Sequence, residues 1–198
     1  MATKLDLLEQ VQVHSRAEWR AWLRKHHKRE TGIWLVYHKK HVADKYLGYA
    51  AIVEEALCYG WIDSTARPLD AERSMLHLCP RKPKSVWSKV NKERVERLIA
   101  RKQMAAPGLA KIELAKANGS WTALDAVEAL LVPDDLRKAL AKDKTAQKHF
   151  DAFPPSSKKI ILFWVTGAKT ENTRKKRIAT TVQMAAKNLR ANQVQKKT

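Results

Sequence analysis

The sequence predicts an α+β fold: a small three-stranded sheet with packed helices over residues 12–103, followed by a helical part over residues 104–190 packed on it. Three observations carry that expectation. Short runs rich in β-branched and aromatic residues fall in the first half of the chain, apolar stripes at helical spacing fill the second, and glycine or proline stands where one pattern gives way to the next. At 198 residues the chain suits one large domain or two small ones. Folding at this length buries about 70% of the surface of the unfolded chain, so the core needs no covalent staples.

Ser15 to Glu18 reads as a capping box at a helix start, with Trp19, Trp22, Leu23 and His26 at helical spacing behind it. Gly32 is expected to supply the left-handed residue that ends this segment. The run IWLVYHKK (residues 33–40) is a strand, too short for a helix between a glycine and a charged loop. Tyr49, Ile52, Val53, Ala56 and Leu57 form the next helical stripe, closed by Gly60. WIDSTARPLD (61–70) and SMLHLCPR (74–81) read as a hairpin, and alternation puts Trp61, Asp63, Thr65 and Arg67 on one face.

After Trp87 the periodicity is helical. Val90, Arg94, Val95, Leu98 and Ile99 make one stripe, and Leu109, Ile112 and Ala115 make another. Pro133 with Asp134 and Asp135 marks a helix start, with acids facing the positive end of the helix dipole. Pro154-Pro155 breaks the chain, and Ser156 or Ser157 is expected to cap the helix that follows. Thr170 and Glu171 open the last helix, and residues 191–198 are expected to form a flexible tail.

Charge is the outlier of the composition. Thirty-nine Lys and Arg face 20 Asp and Glu, a formal net charge of +19. The excess is +9 up to Gln103 and +10 beyond it, so no single tail carries it. A surface this basic favours nucleic acid, anionic lipid or phosphorylated ligands, and it also serves solubility. The two cysteines, Cys58 and Cys79, form no CxxC pair and no disulfide framework. The opening MATKLDLLEQVQV is charged and has no apolar core, so it does not read as a signal peptide, and no run approaches the roughly 18 apolar residues of a membrane span. The expectation is a cytoplasmic protein with reduced thiols and no transmembrane association. Oligomeric state is not legible.

Three segments together resemble a known family. EEALCYGWIDS (54–64), PRKPKSVWSKVNKERVERL (80–98) and KKIILFWVTGAKTENTRKKRI (158–178) are similar to the signature blocks of the YdeI/OmpD-associated, or bacteriocin-protection, family, in the family's order and from about Trp19 to about Leu189. The resemblance implies an α+β protein with a small sheet and a helical C-terminal part, and a role in stress or antimicrobial tolerance. It implies no reaction. The family name suggests an envelope connection, which the lack of an export signal does not support.

The chemistry concentrates in residues 79–98, CPRKPKSVWSKVNKERVERL. Pro80 and Pro83 hold the cations between them extended, and Ser85, Ser88 and Asn91 are available as caps for a helix starting near Ser88. Free backbone N–H groups, capping hydroxyls and nearby cations suit a phosphate or a carboxylate. The plainer reading is that Ser88 caps, Trp87 packs beneath it and the cations are solvated. Asp63 is the second candidate, because aspartate is disfavoured inside a strand. A salt bridge to Arg67 or Arg81, a ligand, or acid–base work with His77 would each account for it.

Lys169, Thr170, Arg174 and Arg177 form a secondary candidate anion-binding corner, where capping by the threonines is the simpler role. Trp34 and Trp61 are stacking platforms for bases or, more simply, core. The histidines and cysteines show no metal-ligand spacing, and no motif for a nucleotide cofactor or a hydrolase nucleophile is present, so no metal, cofactor or catalytic residue is assigned. The leading expectation is a non-enzymatic protein that binds an anionic small molecule or phosphate group through Trp61, Asp63, Arg81, Trp87, Ser88 and Asn91. Sequence-tolerant nucleic-acid binding is the second expectation, and an enzyme using Asp63 as acid or base is the third.

Overall fold

The computed structural model describes Thr3 and residues 5–193. The chain divides into two compact units, Met1–Thr122 and Ala123–Thr198.

The first unit is α+β. Its elements run β1 (Gln10–Gln12), α1 (Arg16–His26), β2 (Ile33–His38), a single 3-10 turn (Ala43–Lys45), α2 (Tyr49–Cys58), β3 (Trp61–Pro68), β4 (Arg73–Pro80), α3 (Lys89–Ala100) and α4 (Ala106–Ala117). The sheet has four strands in the order β1-β2-β4-β3. This corrects the expected three. The added strand β1 runs parallel to β2 and is only three residues long, with Val11 buried between two exposed glutamines. So short a segment shows no alternation. It exists because β2 supplies partners: Trp34 N–H donates to the Glu9 carbonyl (2.9 Å) and Val13 N–H to the Val36 carbonyl (3.2 Å).

Helix α2 lies between two apolar clusters, which explains its continuous hydrophobicity. Ile52 and Ala56 pack with Trp19, Leu23, Leu35, Trp61, Leu76 and Leu78 against the sheet. Val53 and Leu57 pack with Trp87, Val95, Ile112 and Ala115 from the α3–α4 side. Between these apolar residues sits Glu55, 2% exposed, which accepts from Arg16 Nε and Arg20 Nη1 of α1, each at 2.6 Å. A carboxylate out of water is tolerated only when paired in this way.

Three local expectations are revised. Ser15 does cap α1, accepting from Glu18 N–H (3.1 Å), but Glu18 reaches back to His14 N–H rather than to Ser15, one residue off the capping-box register. Gly32 is not left-handed. It is required by space, since a Cβ there would lie 2.7 Å from both His77 Nε2 and the Leu78 carbonyl. Strict alternation in β3 also fails, because the pairing with β4 shifts between Asp63 and Ala66. Such a bulge re-aims the side chains on either side of it.

Helix α4 closes on the end of α2 through glycine. A Cβ on Gly108 would collide with the Cys58 carbonyl, and one on Gly60 would lie 2.7 Å from Lys111 Cγ. Gly60 also has φ +76°, which a side chain rarely adopts.

The second unit is helical: α5 (Asp125–Glu128), α6 (Asp134–Ala141), α7 (Lys144–Ala152), α8 (Pro155–Thr166) and α9 (Glu171–Ala186). Leu136, Leu140, Phe150, Ile161, Leu162, Val165, Ile178 and Ala185 form its core. Asp143 caps α7 by accepting from Thr145 and Ala146 N–H, both at 3.0 Å. The serine cap expected for α8 is absent: Pro154 occupies that position without a side-chain cap, and Ser157 is buried inside the helix. Of the expected tail, Ala191 is buried and Gln193 Nε2 donates to the Ser157 carbonyl (3.1 Å), while residues 194–198 lie outside the described residues. Among the described residues no helix is long and apolar enough to cross a membrane.

The Gly108 contact is backbone against backbone, so it has little room to relax. Gly108→Ala is expected to destabilise the protein by about 1–3 kcal/mol, the usual cost of overpacking, read as a lower denaturation midpoint in urea at unchanged slope.

Candidate anion-binding site

Strand β4 ends at Pro80, and the backbone N–H of Arg81 donates to the Gly60 carbonyl (2.9 Å), which anchors the chain beside the start of β3. The segment from Lys82 to Trp87 then loops round, tied by Asn118 Nδ2 donating to the Pro83 carbonyl (2.8 Å). The loop folds over its own first side chain. The Arg81 guanidinium carbon lies 3.7 Å from the centre of the Trp87 ring, and Nη2 donates to the Val86 carbonyl at 2.8 Å.

Arg81 is 3% exposed, yet its Nε and Nη1 have no hydrogen-bond partner among the described residues. A guanidinium carries five N–H donors, and here one bond to a neutral carbonyl serves it. Desolvation pulls its pKa down to about 10, opposed by the nearby negative charge of Asp63 and by Cys79. It is therefore still a cation at neutral pH. The stack on Trp87 contributes, but a cation–π contact is worth only about 2 kcal/mol when desolvated, whereas an unpaired buried charge costs several.

Asp63 reaches the same neighbourhood from β3. Its Oδ2 accepts from the Tyr49 hydroxyl (2.6 Å), and Arg94 lies over the Tyr49 ring at 5.9 Å. Arg94 Nη1 in turn donates to Asn91 Oδ1 (2.9 Å), and Asn91 N–H donates to Ser88 Oγ (3.4 Å) as the cap of α3. Five of the six residues picked from the sequence thus belong to one neighbourhood: Asp63, Asn91 and Ser88 join through Tyr49 and Arg94, Arg81 stacks on Trp87, and the Asp63 charge acts on Arg81. The sequence reading missed Tyr49 and Arg94. Arg94 was visible as the residue three past Asn91 on a helix; nothing in the sequence ties Tyr49 to Asp63.

Trp61 stands apart. It is fully buried in the sheet core, its Nε1 donating to the His27 carbonyl (3.1 Å). Trp34 is likewise core, with Nε1 donating to the Leu5 carbonyl (2.7 Å). The ion pairs considered for Asp63 do not form: the bulge puts Arg67 out of phase with it and Arg67 binds Asp6 at 2.7 Å, while Asp63 is in register with Leu78, so His77 falls on the other face, where its Nδ1 meets Ser64 Oγ at 2.7 Å. Among the described residues no cluster of three or more His, Cys, Asp or Glu is placed to hold a metal.

A cleft of about 590 Å³ opens beside Arg81. The end of β4 supplies Cys79 to Lys82, the turn after α1 supplies His27 to Glu30, the end of α2 supplies Tyr59 and Gly60, and the first turns of α4 supply Pro107, Ala110 and Lys111. Five of these residues are Lys or Arg and one is acidic, Glu30. Arg29 is committed to Glu9 at 2.6 Å. Burial pushes the Cys79 thiol up, which disfavours its thiolate form.

In the second unit Thr170 caps α9, accepting from Thr173 N–H at 3.2 Å. Arg174 grips Asp135 with two bonds, at 2.5 and 2.9 Å, and Arg177 Nη1 donates to the Trp164 carbonyl at 2.5 Å. The two arginines of this corner are thus engaged within the unit, while Lys169 is exposed.

Fold and site together define an α+β protein with a basic cleft around a buried arginine. Residues 11–111, just over half of the chain, match the family model described as a domain of unknown function (DUF8412), and the chain belongs to that family. Residues 129–188 match the model described as Bacteriocin-protection, YdeI or OmpD-Associated, the family named by the resemblance. The block at 158–178 falls inside this second match, whereas the blocks at 54–64 and 80–98 fall inside the first, so the YdeI/OmpD-associated match covers less of the chain than the resemblance implied. No curated protein and no solved structure matches the chain.

Burial and the hydrogen bond to Asp63 push the Tyr49 phenol up to about 12. Because the folded value lies above the unfolded one, this contribution to stability is present below about pH 10 and lost as the pH rises toward 12. Asp63→Asn is expected to bring the last phenolate absorbance transition down toward 10; an unchanged titration would show that Asp63 does not govern Tyr49.

Proposed function

We propose that the N-terminal unit is a non-enzymatic binding module for an anionic small molecule, held at Arg81. The single observation that carries this reading is the Arg81 guanidinium, 3% exposed, stacked on Trp87, and left with unpartnered Nε and Nη1 beside a cation-lined cleft. A buried charge of this kind is costly unless an opposite charge completes it, and phosphate or carboxylate oxygens match the guanidinium donors. Trp87 fixes the plane of the group, Ser88 and Asn91 hold the start of α3 behind it, and Asp63 biases the field around it. Tyr49 and Arg94 position Asp63 and Asn91.

The family match to the C-terminal unit supports a place for the whole chain in stress or antimicrobial tolerance of the bacteriocin-protection type. A cytoplasmic location belongs to the same proposal and is supported by two free thiols, Cys58 and Cys79.

Thermal unfolding with inorganic phosphate tests the reading. Saturating phosphate is expected to stabilise the wild type, by about 2.7 kcal/mol at a hundredfold excess over Kd, and to leave Arg81→Met unmoved. Without ligand, Arg81→Met is expected to be at least as stable as the wild type, since it removes an unpaired charge and keeps an apolar contact with Trp87. Equal phosphate shifts in both proteins, or a large loss of stability in unliganded Arg81→Met, would make Arg81 a structural residue and sink the proposal.

A further inference from the structure

We infer that the anion taken at Arg81 is a diphosphate group, as in inorganic pyrophosphate or a nucleoside diphosphate, with one phosphoryl group at Arg81 and the second among Lys28, Lys82 and Lys111. This rests on the anion-binding reading of Arg81 and goes beyond it by naming the ligand class.

Charge makes the first argument. Arg81, Lys28, Lys82 and Lys111 line one cleft, and the three lysines have no ion pair among the described residues. The fifth basic residue on the wall, Arg29, is already paired with Glu9. Glu30 is the lone acid on the wall, so the cleft carries a net positive charge. One orthophosphate, a dianion at most near neutral pH, answers only about half of the charge of these four cations.

Size makes the second. The cleft measures about 590 Å³, within the roughly 300–1,000 Å³ range of small-molecule sites and far more than one phosphate fills. The start of α4 makes the third. This 12-residue helix contributes Pro107, Ala110 and Lys111 to the wall, has no side-chain cap at Ala105 and no acid in its first turn. Its positive end therefore adds to the field of the lysines instead of being neutralised locally.

A small molecule fits better than a nucleic acid. Arg81 lines the cleft yet is only 3% exposed, which excludes the broad phosphate surface of a duplex from it.

Isothermal titration of the full chain with orthophosphate, pyrophosphate, ADP and a short single-stranded oligonucleotide decides the matter, at about 50 and 200 mM salt. Pyrophosphate and ADP are expected to bind at least about 30-fold more tightly than orthophosphate, as a second charge facing several cations in a partly desolvated site provides. Lys28→Gln and Lys111→Gln are each expected to weaken pyrophosphate about tenfold while leaving orthophosphate within about twofold, and Arg81→Met is expected to abolish both. Equal affinities for orthophosphate and pyrophosphate, both lost in Arg81→Met, would overturn the diphosphate inference and leave the anion reading standing. Binding of neither, or binding indifferent to Arg81→Met, would overturn both. A preference for the oligonucleotide over pyrophosphate at the higher salt would overturn the diphosphate in favour of a nucleic-acid strand.

Discussion

Among its described residues the N-terminal unit buries two side-chain charges, Glu55 and Arg81, and neutralises only the first through direct ion pairs. The constraint behind the contrast is dielectric: a charge withdrawn from water must find its counter-charge nearby or weaken the fold. Glu55 meets the constraint with two arginines from α1, and that pairing ties α1 to α2 and supports the wall on which the sheet packs. Arg81 meets it only in part, with one carbonyl, one indole face and the more distant field of Asp63. The loop from Lys82 to Trp87 folds over that incomplete group.

Backbone proximity makes the arrangement possible. Gly108 lets α4 approach the last turn of α2 more closely than any side chain would permit, and Gly60, in a left-handed conformation, lets Lys111 lie across the start of β3. The bulge between Asp63 and Ala66 has the complementary effect on the sheet. It breaks the face that Asp63 would otherwise share with Arg67, and the carboxylate goes to Tyr49, close enough to Arg81 to be felt there. Close packing and a register fault, rather than any motif, bring the polar residues together.

The helical unit uses its charge differently. Arg174 is held by Asp135, Arg137 by Asp134, Lys175 by Glu171 and Lys159 by Glu128. These are pairs between adjacent turns or neighbouring helices, mostly at the surface, where each contributes little to stability. This unit carries the YdeI/OmpD-associated match, while the buried arginine lies in the unit that matches a family without assigned function.

The sequence by itself determined what rests on local periodicity and local chemistry. The stripes of α1 to α4, the helix starts of α6 and α9, the proline break before α8, the strands β2, β3 and β4, the caps at Ser15, Ser88 and Thr170, and the density of cations around Arg81 are properties of short stretches, so they were legible without a fold. Strand β1 was not, because three residues carry no period and only the exposed edge of β2 makes them a strand. The reason for Gly32 was equally hidden, since the atoms that forbid a side chain there belong to β4. Only the tertiary structure decided that Trp61 is core, that Asp63 serves Tyr49, that Arg174 is already paired and that Arg81 is buried without a full set of partners. Each of these depends on a neighbour distant in the chain, and burial and pairing are properties of the assembled neighbours, not of the residue.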